Sequence, residues 1–164
     1  MMASGLLTSD GPDDTSALGR AIGRHATPGT VVALIGELGA GKTVLAKGVA
    51  DGLGVRTVVN SPTFVLMNEH LGRLRLHHVD AYRLSDPADA LAAGLLDDRL
   101  AMGVAVIEWA DRLDGWLPEE RLEIRLDTPA GLNPDVRTIA WRAIGEAHER
   151  LASAAFTDSG VEPA

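Results

Sequence analysis

Residues 36–43 match the pattern G-x-x-x-x-G-K-[ST] of a phosphate-binding loop. The glycines of such a loop let successive backbone N–H groups turn toward an anion, and the start of the next helix adds partial positive charge. In this loop Lys42 would reach the β- and γ-phosphates of a nucleotide, and the hydroxyl of Thr43 would bind Mg²⁺. The pattern therefore predicts a site for a nucleoside triphosphate with Mg²⁺, the alternative being a glycine-rich turn that matches by chance.

Two carboxylates that end apolar segments are the candidates for catalysis at this site. Transfer of a phosphoryl group to water needs a bound metal ion, a positioned water and charge stabilisation, which the loop alone does not supply. Because ligands of open α/β sheets bind beyond the carboxyl ends of the strands, Asp80 and Glu108 are expected to converge on the loop. Glu108 would bind Mg²⁺ or polarise the attacking water, or it is only a solvated strand end. Asp80 is a candidate on the same grounds, or it simply caps a turn.

Three further sets of polar or aromatic residues stand near these candidates in the sequence. The segment 60–63 lies where a nucleotide-sensing loop would pass, and Thr63 would contact Mg²⁺ or the γ-phosphate; the alternative is an ordinary Ser-Pro turn. Trp109 is either a core or edge aromatic residue or a stacking platform beside the site. His77 and His78 would point to opposite faces of a strand, so we expect no zinc site there.

The hydrophobic pattern places the loop between a strand and a helix. Residues 31–35 are a continuous apolar run, as in a strand buried on both faces, and Leu45, Val49 and Leu53 recur at helical spacing directly after the loop. Other helices are predicted at 13–25, 85–94 and 146–151, and other strands at 55–59, 64–67, 74–79, 104–107, 121–127 and 136–141. The strands at 64–79 and at 121–141 are expected to form two antiparallel hairpins. The predicted fold is an α/β three-layer sandwich like that of phosphate-loop nucleotide hydrolases, with a mixed sheet and antiparallel hairpins at its margins.

Length and composition set the outer limits of the prediction. The 164 residues suffice for one domain, expected over residues 1–150, with a frayed or disordered tail at 151–164. The net charge of −8 argues against an extended basic surface that binds a nucleic-acid backbone. If the protein serves an RNA pathway, another protein is expected to hold the RNA. The absence of cysteine excludes disulfides and thiolate metal sites. No stretch reaches the about 18 apolar residues of a membrane span, and a cytoplasmic protein is expected.

Four segments in this order resemble the TsaE (YjeE) family of small bacterial ATPases. They are 36–43 (GELGAGKT), 61–64 (SPTF), 78–83 (HVDAYR) and 107–111 (IEWAD). The first is shared by many families, whereas the other three are specific at these separations, and the resemblance covers roughly residues 13–142. It implies a role in making N6-threonylcarbamoyladenosine in tRNA, in which ATP hydrolysis resets the transferase TsaD, acting with its paralogue TsaB. Contact with tRNA would be indirect, through these partners.

The resemblance also implies roles for individual residues. The nucleotide would contact Glu37, Leu38, Gly39, Ala40, Gly41, Lys42, Thr43, Thr63 and Trp109. Lys42, Glu108 and Asp80 would be the catalytic groups, and Thr43, Glu108 and Asp80 would face the metal ion. By position alone, Thr15 and Arg137 would flank the base.

Two other functions compete with an Mg²⁺-dependent ATPase. A small-molecule or nucleotide kinase would need a second pocket, often with an arginine-rich lid, yet residues 85–99 contain only Arg99. An interaction module would assemble a complex through ATP binding without hydrolysis. A GTPase is not expected, because no Asn-Lys-x-Asp segment is present. Hydrolysis by the isolated protein is expected to be slow, with Arg83 or a partner supplying the missing cation at the γ-phosphate.

Overall fold

One mixed β-sheet organises the chain, and the computed structural model describes it in residues 2–57, 59, 67–82, 102–131 and 133–163. Within these residues the strands are β1 (Met2–Ser9), β2 (Val31–Gly36), β3 (Met67–His70), β4 (Leu76–Asp80), β5 (Val104–Glu108), β6 (Arg121–Asp127), β7 (Arg137–Ile144) and β8 (Glu162–Pro163). The helices are α1 (Pro12–His25), α2 (Lys42–Gly52) and α3 (Glu146–Ser159), with a short 3-10 helix at Ala110–Leu113.

The strand order is β3-β4-β5-β2-β6-β7-β1-β8. The four central strands, β4, β5, β2 and β6, run parallel, and their neighbours on both sides are antiparallel. Val32 and Leu34 of β2 belong to the core under the three α-helices, whereas Val31 and Ala33 belong to the core on the other face, with Ile107. The continuous apolar run of β2 therefore reflects burial on both faces, as predicted.

Glycines bring α1 and α2 into close contact. A Cβ added to Gly48 would lie 2.6 Å from the carbonyl oxygen of Ser16, and one added to Gly23 would lie 2.2 Å from that of Val49. A Cβ added to Gly19 or Gly52 would likewise lie too close to the backbone of the opposite helix. Because α2 begins at the last residues of the phosphate-binding loop, this packing also sets where the loop lies.

Most predicted elements are present. The helix at 13–25, the strands at 31–35, 104–107 and 121–127, and the strand–loop–helix order around 36–43 are confirmed. Both hairpins are antiparallel, formed by β3 with β4 and by β6 with β7. The structure has an α/β fold with a mixed sheet and antiparallel margins, as predicted. Residues 64–66 and the helix predicted at 85–94 lie outside the described residues.

One predicted strand is absent and one strand was not predicted. Of the strand predicted at 55–59, residues 55–57 form none, because the N–H of Val55 donates to the carbonyl of Ala50 and closes the end of α2. Strand β1 was not predicted, since its Gly5 and small polar residues carry little strand propensity. Gly5 is required there by the neighbouring strand, because a Cβ would lie 2.9 Å from the indole of Trp141.

The C-terminal segment is ordered secondary structure and not the loose tail expected at 151–164. Helix α3 continues to Ser159 and buries Leu151, Ala152 and Ala155. Beyond it, Pro163 pairs with Leu7 of β1. The small alanines lack the bulk that marks a core in sequence, yet they suit a helix packed closely on others. None of the described helices has the length and apolar character needed to cross a membrane.

Candidate functional site

The phosphate-binding loop connects the end of β2 to the first residue of α2. Gly39 and Gly41 have φ angles of 81° and 108°, in a region that residues with a Cβ rarely adopt. These two glycines let the chain turn back sharply, so that α2 begins at Lys42 with its N-terminus directed at the loop. The free N–H groups and the partial positive charge of a helix start favour an anion at this point.

Lys42 lies folded against its own loop. Its Nζ donates to the carbonyl oxygens of Gly36 and Glu37 at 2.5 and 2.9 Å. The same Nζ lies 4.0 Å from the centre of the Trp109 ring, within range of a cation–π interaction. Burial lowers the pKa of Lys42, and the nearby carboxylates, Glu108 first among them, oppose this shift.

Glu108, the last residue of β5, joins α2 to the neighbouring strand. The residue is almost fully buried, with 2% exposure. One carboxylate oxygen, Oε1, accepts a hydrogen bond from the Thr43 hydroxyl at 2.9 Å. The other, Oε2, lies 2.5 Å from Nε2 of His78 on β4. The predicted convergence of β5 on the loop is therefore present in the structure.

Asp80 ends β4 directly beside Glu108 in the strand register. Its Oδ1 accepts the backbone N–H of Tyr82 at 2.9 Å, so Asp80 does cap a turn. It also lines the same cleft as Lys42 and Thr43, a cavity of about 350 Å³. Burial raises the pKa of Asp80, the hydrogen bond from Tyr82 lowers it, and the charge of Glu108 raises it further. Both interpretations of Asp80 thus have a physical basis.

Aromatic residues form the wall of this cleft. Trp109 has a φ of 57°, and it is the one residue other than glycine with a positive φ in the described part of the chain. Its ring packs at 4.8 Å from that of Tyr82, and the guanidinium of Arg112 lies 4.9 Å from the Tyr82 ring. Trp109 also packs against the core around Ile107. Backbone strain of this kind is concentrated at functional sites.

A second, smaller cavity of about 110 Å³ lies on the other side of the loop. It brings together Thr15 and Arg137, the two residues expected to flank the base. Arg137 is anchored to the loop, because its Nε donates to the carbonyl of Ala40 at 2.9 Å and its Nη2 to that of Gly39 at 3.1 Å. The Thr15 hydroxyl lies 2.7 Å from that of Ser9 on β1. Both residues therefore border the loop at a point distinct from the carboxylates.

The donor atoms at the cleft suit a magnesium ion. Thr43, Glu108 and Asp80 offer only oxygen, the ligand type that Mg²⁺ prefers. In the described part of the chain, no group of three or more His, Cys, Asp or Glu residues is arranged to hold a metal ion. Mg²⁺ usually binds through one or two carboxylates together with substrate phosphates and water. The residues present therefore fit an ion that arrives with a nucleotide.

Two predicted residues lie beyond the described part of the chain, and one residue at the site was not predicted. Thr63 and Arg83 lie outside the described residues. His78, set aside in the sequence as half of a histidine pair, contacts Glu108. Its spacing carried a usable signal, because residues two apart on a strand share a face, and His78 precedes Asp80 by two.

The chain is similar to known proteins over most of its length. The model of a protein family described as "Threonylcarbamoyl adenosine biosynthesis protein TsaE" matches residues 9–135. A Bacillus subtilis protein named "tRNA threonylcarbamoyladenosine biosynthesis protein TsaE" is 40% identical over 141 residues, covering 85% of this chain and 86% of its own. A Streptomyces coelicolor protein of the same name is 44% identical over 133 residues, covering 79% and 90%. The crystal structure of Bacillus subtilis YdiB superposes with a TM-score of 0.79 at 33% identity, covering 96% of this chain and 97% of that one.

Proposed function

Because the chain belongs to the TsaE family of threonylcarbamoyl adenosine biosynthesis proteins, we propose that it is an Mg²⁺-dependent ATPase in the synthesis of N6-threonylcarbamoyladenosine in tRNA. Its proposed partners are the transferase TsaD and its paralogue TsaB, which would hold the tRNA in the cytoplasm. The charge of −8 supports this division of labour, since an acidic protein is poorly suited to gripping a phosphate backbone.

The observation that carries the proposal is the hydrogen bond between Thr43 and Glu108. It joins the first turn of α2 to the end of β5, so one hydroxyl and one carboxylate meet beside the phosphate-binding loop. These are the residues that would hold Mg²⁺ with the nucleotide, and Asp80 lies next to them. When bound, Mg²⁺ neutralises charge on the β- and γ-phosphates.

Lys42 would bind the γ-phosphate by exchanging its present partners. Its Nζ now donates to two loop carbonyls, and phosphate oxygens are stronger acceptors because they carry charge. The exchange would bring the ammonium group to the site where negative charge must be stabilised during phosphoryl transfer. Lys42 is therefore proposed to act both in binding and in catalysis.

The two carboxylates are proposed to orient the attacking water. Glu108 is held on both oxygens and so presents a fixed acceptor, whereas Asp80 keeps a carboxylate at the cleft. The raised pKa of Asp80 makes it a better proton acceptor than an ordinary aspartate. Thr15 and Arg137, across the loop, are proposed to flank the base of the nucleotide.

The test is multiple-turnover modification of tRNA by purified TsaD and TsaB, supplied with threonylcarbamoyl-adenylate and ATP. Wild-type protein is expected to sustain turnover and Lys42→Ala to fail. Lys47→Ala is the matched control, since Lys47 is the other lysine of the chain and is exposed on the same helix. If neither the wild type nor Lys42→Ala changes turnover, while the wild type still hydrolyses ATP, the pathway role is overturned and a kinase is favoured. Support of turnover without hydrolysis would instead favour an interaction module.

A further inference from the structure

We propose that His78 is a positioning residue that fixes the carboxylate of Glu108 for ATP hydrolysis. The inference deepens the proposed function and rests on it. His78 is completely buried, with 0% exposure, and its Nε2 lies 2.5 Å from Oε2 of Glu108. Since it does not reach solvent, the imidazole acts through Glu108 and not on the nucleotide directly.

The strand register explains how His78 reaches this carboxylate. In the parallel pair of β4 and β5, Asp80 lies opposite Glu108, and His78 lies opposite Val106. His78 and Asp80 share a face of β4, so the two side chains approach Glu108 from the same strand. One strand therefore supplies both the acid beside Glu108 and the group that orients it.

A buried glutamate needs this support. Its carboxylate is carried on three rotatable bonds, and a buried carboxylate is costly unless hydrogen-bond donors satisfy it. Thr43 donates to Oε1 and His78 contacts Oε2, so the two contacts together fix the plane of the group. Without the imidazole, the carboxylate would lose one of the contacts that orient it toward Thr43 and the cleft.

The contacts of the ring also assign its tautomer. With the proton on Nε2, the ring donates to the carboxylate oxygen, which only accepts. Nδ1 of His78 has no hydrogen-bond partner among the described residues. A ring that carries a proton on Nε2 therefore makes this contact as the donor.

A purely structural role would make a different prediction. A bond between β4 and β5 would add to strand pairing that the backbone already provides, so its loss would change stability and leave catalysis intact. A positioning role predicts that kcat falls while KM and the unfolding temperature change little. It also predicts that a side chain with a donor at the same place restores kcat.

The experiment compares ATP hydrolysis by wild type, His78→Leu and His78→Gln, with the TsaD–TsaB complex present. The amide nitrogen of glutamine can take the place of Nε2, whereas leucine has no donor. His78→Leu is expected to lower kcat about 10- to 100-fold, as is typical for loss of a group that orients a ligand or acid. His78→Gln is expected to recover most of it. His77→Leu is the matched control, since His77 is buried on the opposite face of β4 and should leave kcat unchanged.

A second measurement tests the contact without turnover. In the nucleotide-free protein, the imidazole Nε2–H of His78 should give a slowly exchanging NMR signal that Glu108→Ala removes. Absence of that signal in the wild type, an unchanged kcat in His78→Leu, or no recovery in His78→Gln would each overturn the inference. If His78→Leu does not fold, His78→Asn takes its place, because its shorter amide stops before the Nε2 position. If the wild type does not hydrolyse ATP at all, the proposed ATPase activity is overturned. The NMR signal then still shows whether His78 contacts Glu108.

Discussion

Lys42 forms hydrogen bonds within its own loop, and these bonds predict how replacing Lys42 changes the affinity for ATP. The proposed binding of a nucleotide would replace the hydrogen bonds to Gly36 and Glu37 with bonds to phosphate, which are charge-assisted on both sides. Because hydrogen bonds between charged groups contribute about 1.5–3 kcal/mol each, Lys42→Ala should weaken ATP binding about 10- to 150-fold. Equilibrium titration with ATP measures this, with Lys47→Ala as the control. Unchanged affinity in Lys42→Ala would contradict the assignment of the phosphate-binding loop.

Asp80 caps a turn and also places a carboxylate at the cleft, and one pair of variants can separate these two roles. Asp80→Asn keeps an oxygen for the N–H of Tyr82 but loses the carboxylate at the cleft, whereas Asp80→Ala loses both. If the carboxylate serves catalysis, both variants should bind ATP normally and hydrolyse it at least about tenfold more slowly. Steady-state hydrolysis and ATP titration give the two quantities. Full activity in Asp80→Asn would show that Asp80 only caps the turn.

Removing the charge of Glu108 should separate binding from hydrolysis. Glu108→Gln keeps an oxygen for the Thr43 hydroxyl, so the loop and the strand end stay joined. It loses the carboxylate that would hold Mg²⁺ or polarise water, and we expect hydrolysis to fall at least about 100-fold with much of the ATP affinity kept. Single-turnover hydrolysis of bound ATP is the measurement. Rapid hydrolysis in Glu108→Gln would exclude this residue from the chemistry.

His148 makes stability depend on pH at a distance from the cleft. Its Nε2 accepts the backbone N–H of Val31 at 3.0 Å, which only an unprotonated nitrogen can do. Burial lowers the pKa of His148, and the carboxylate of Glu120 opposes this shift. Above about pH 6.5 the ring is neutral in both the folded and the unfolded protein. As the pH falls below that value the unfolded chain binds the proton first, so the free energy of unfolding decreases.

The variant His148→Gln tests this prediction. Glutamine offers an oxygen to Val31 and does not titrate, so the wild type should lose more stability than the variant on acidification. The difference should grow by at most about 1.4 kcal/mol per pH unit between about pH 7 and about pH 5. Urea unfolding at a series of pH values measures it. Parallel pH curves for the two proteins would rule out His148 as the source.

At the scale of the elements, the helix pair α1–α2 depends on glycine. Gly48→Ala would place a Cβ 2.6 Å from the carbonyl of Ser16, and backbone atoms cannot yield cheaply there. We expect a loss of about 1–3 kcal/mol, as is usual for overpacking a close contact, despite the better helix propensity of alanine. Lys47→Ala, on the exposed side of the same helix, should be nearly neutral. Thermal unfolding compares the two, and equal stability would mean that the helices can move apart.

The elements also show what the sequence could predict. Strands β2 and β5 are buried on both faces, so their unbroken apolar runs identify them, and the loop motif between β2 and α2 needs no tertiary information. The missed elements depend on distant contacts. Strand β1 has a glycine because Trp141 lies against it, and the alanines of α3 belong to the same core as the buried residues of α1. The sequence places His78 on the face of Asp80, but its contact with Glu108 depends on how β4 pairs with β5, which the sequence does not show.

At the scale of the whole molecule, the C-terminal segment closes the core. Helix α3 buries Leu151 and Ala155, and beyond it Val161 is buried too. A chain that ends at Gly145 should lose several kcal/mol, comparable with the whole stability of a domain of this size. A chain that ends at Ser159 keeps the helix and loses only the buried Val161 and β8, so it should stay folded. Unfolding curves of the two truncated chains test this, and a stable fold in the shorter one would show that α3 is dispensable.

The position of β2 has a consequence for synthesis on the ribosome. This strand pairs with β5 on one side and β6 on the other, and Ile35 lies opposite Arg125. At about 5–20 residues per second, the ribosome needs about 5–18 s to make the roughly 90 residues between them. During that interval the loop lacks at least one of the two neighbours of β2: β5, which carries Glu108, or β6, which completes the sheet on the other side. The proposed nucleotide site is therefore complete only after β6 has been synthesised and has paired with β2.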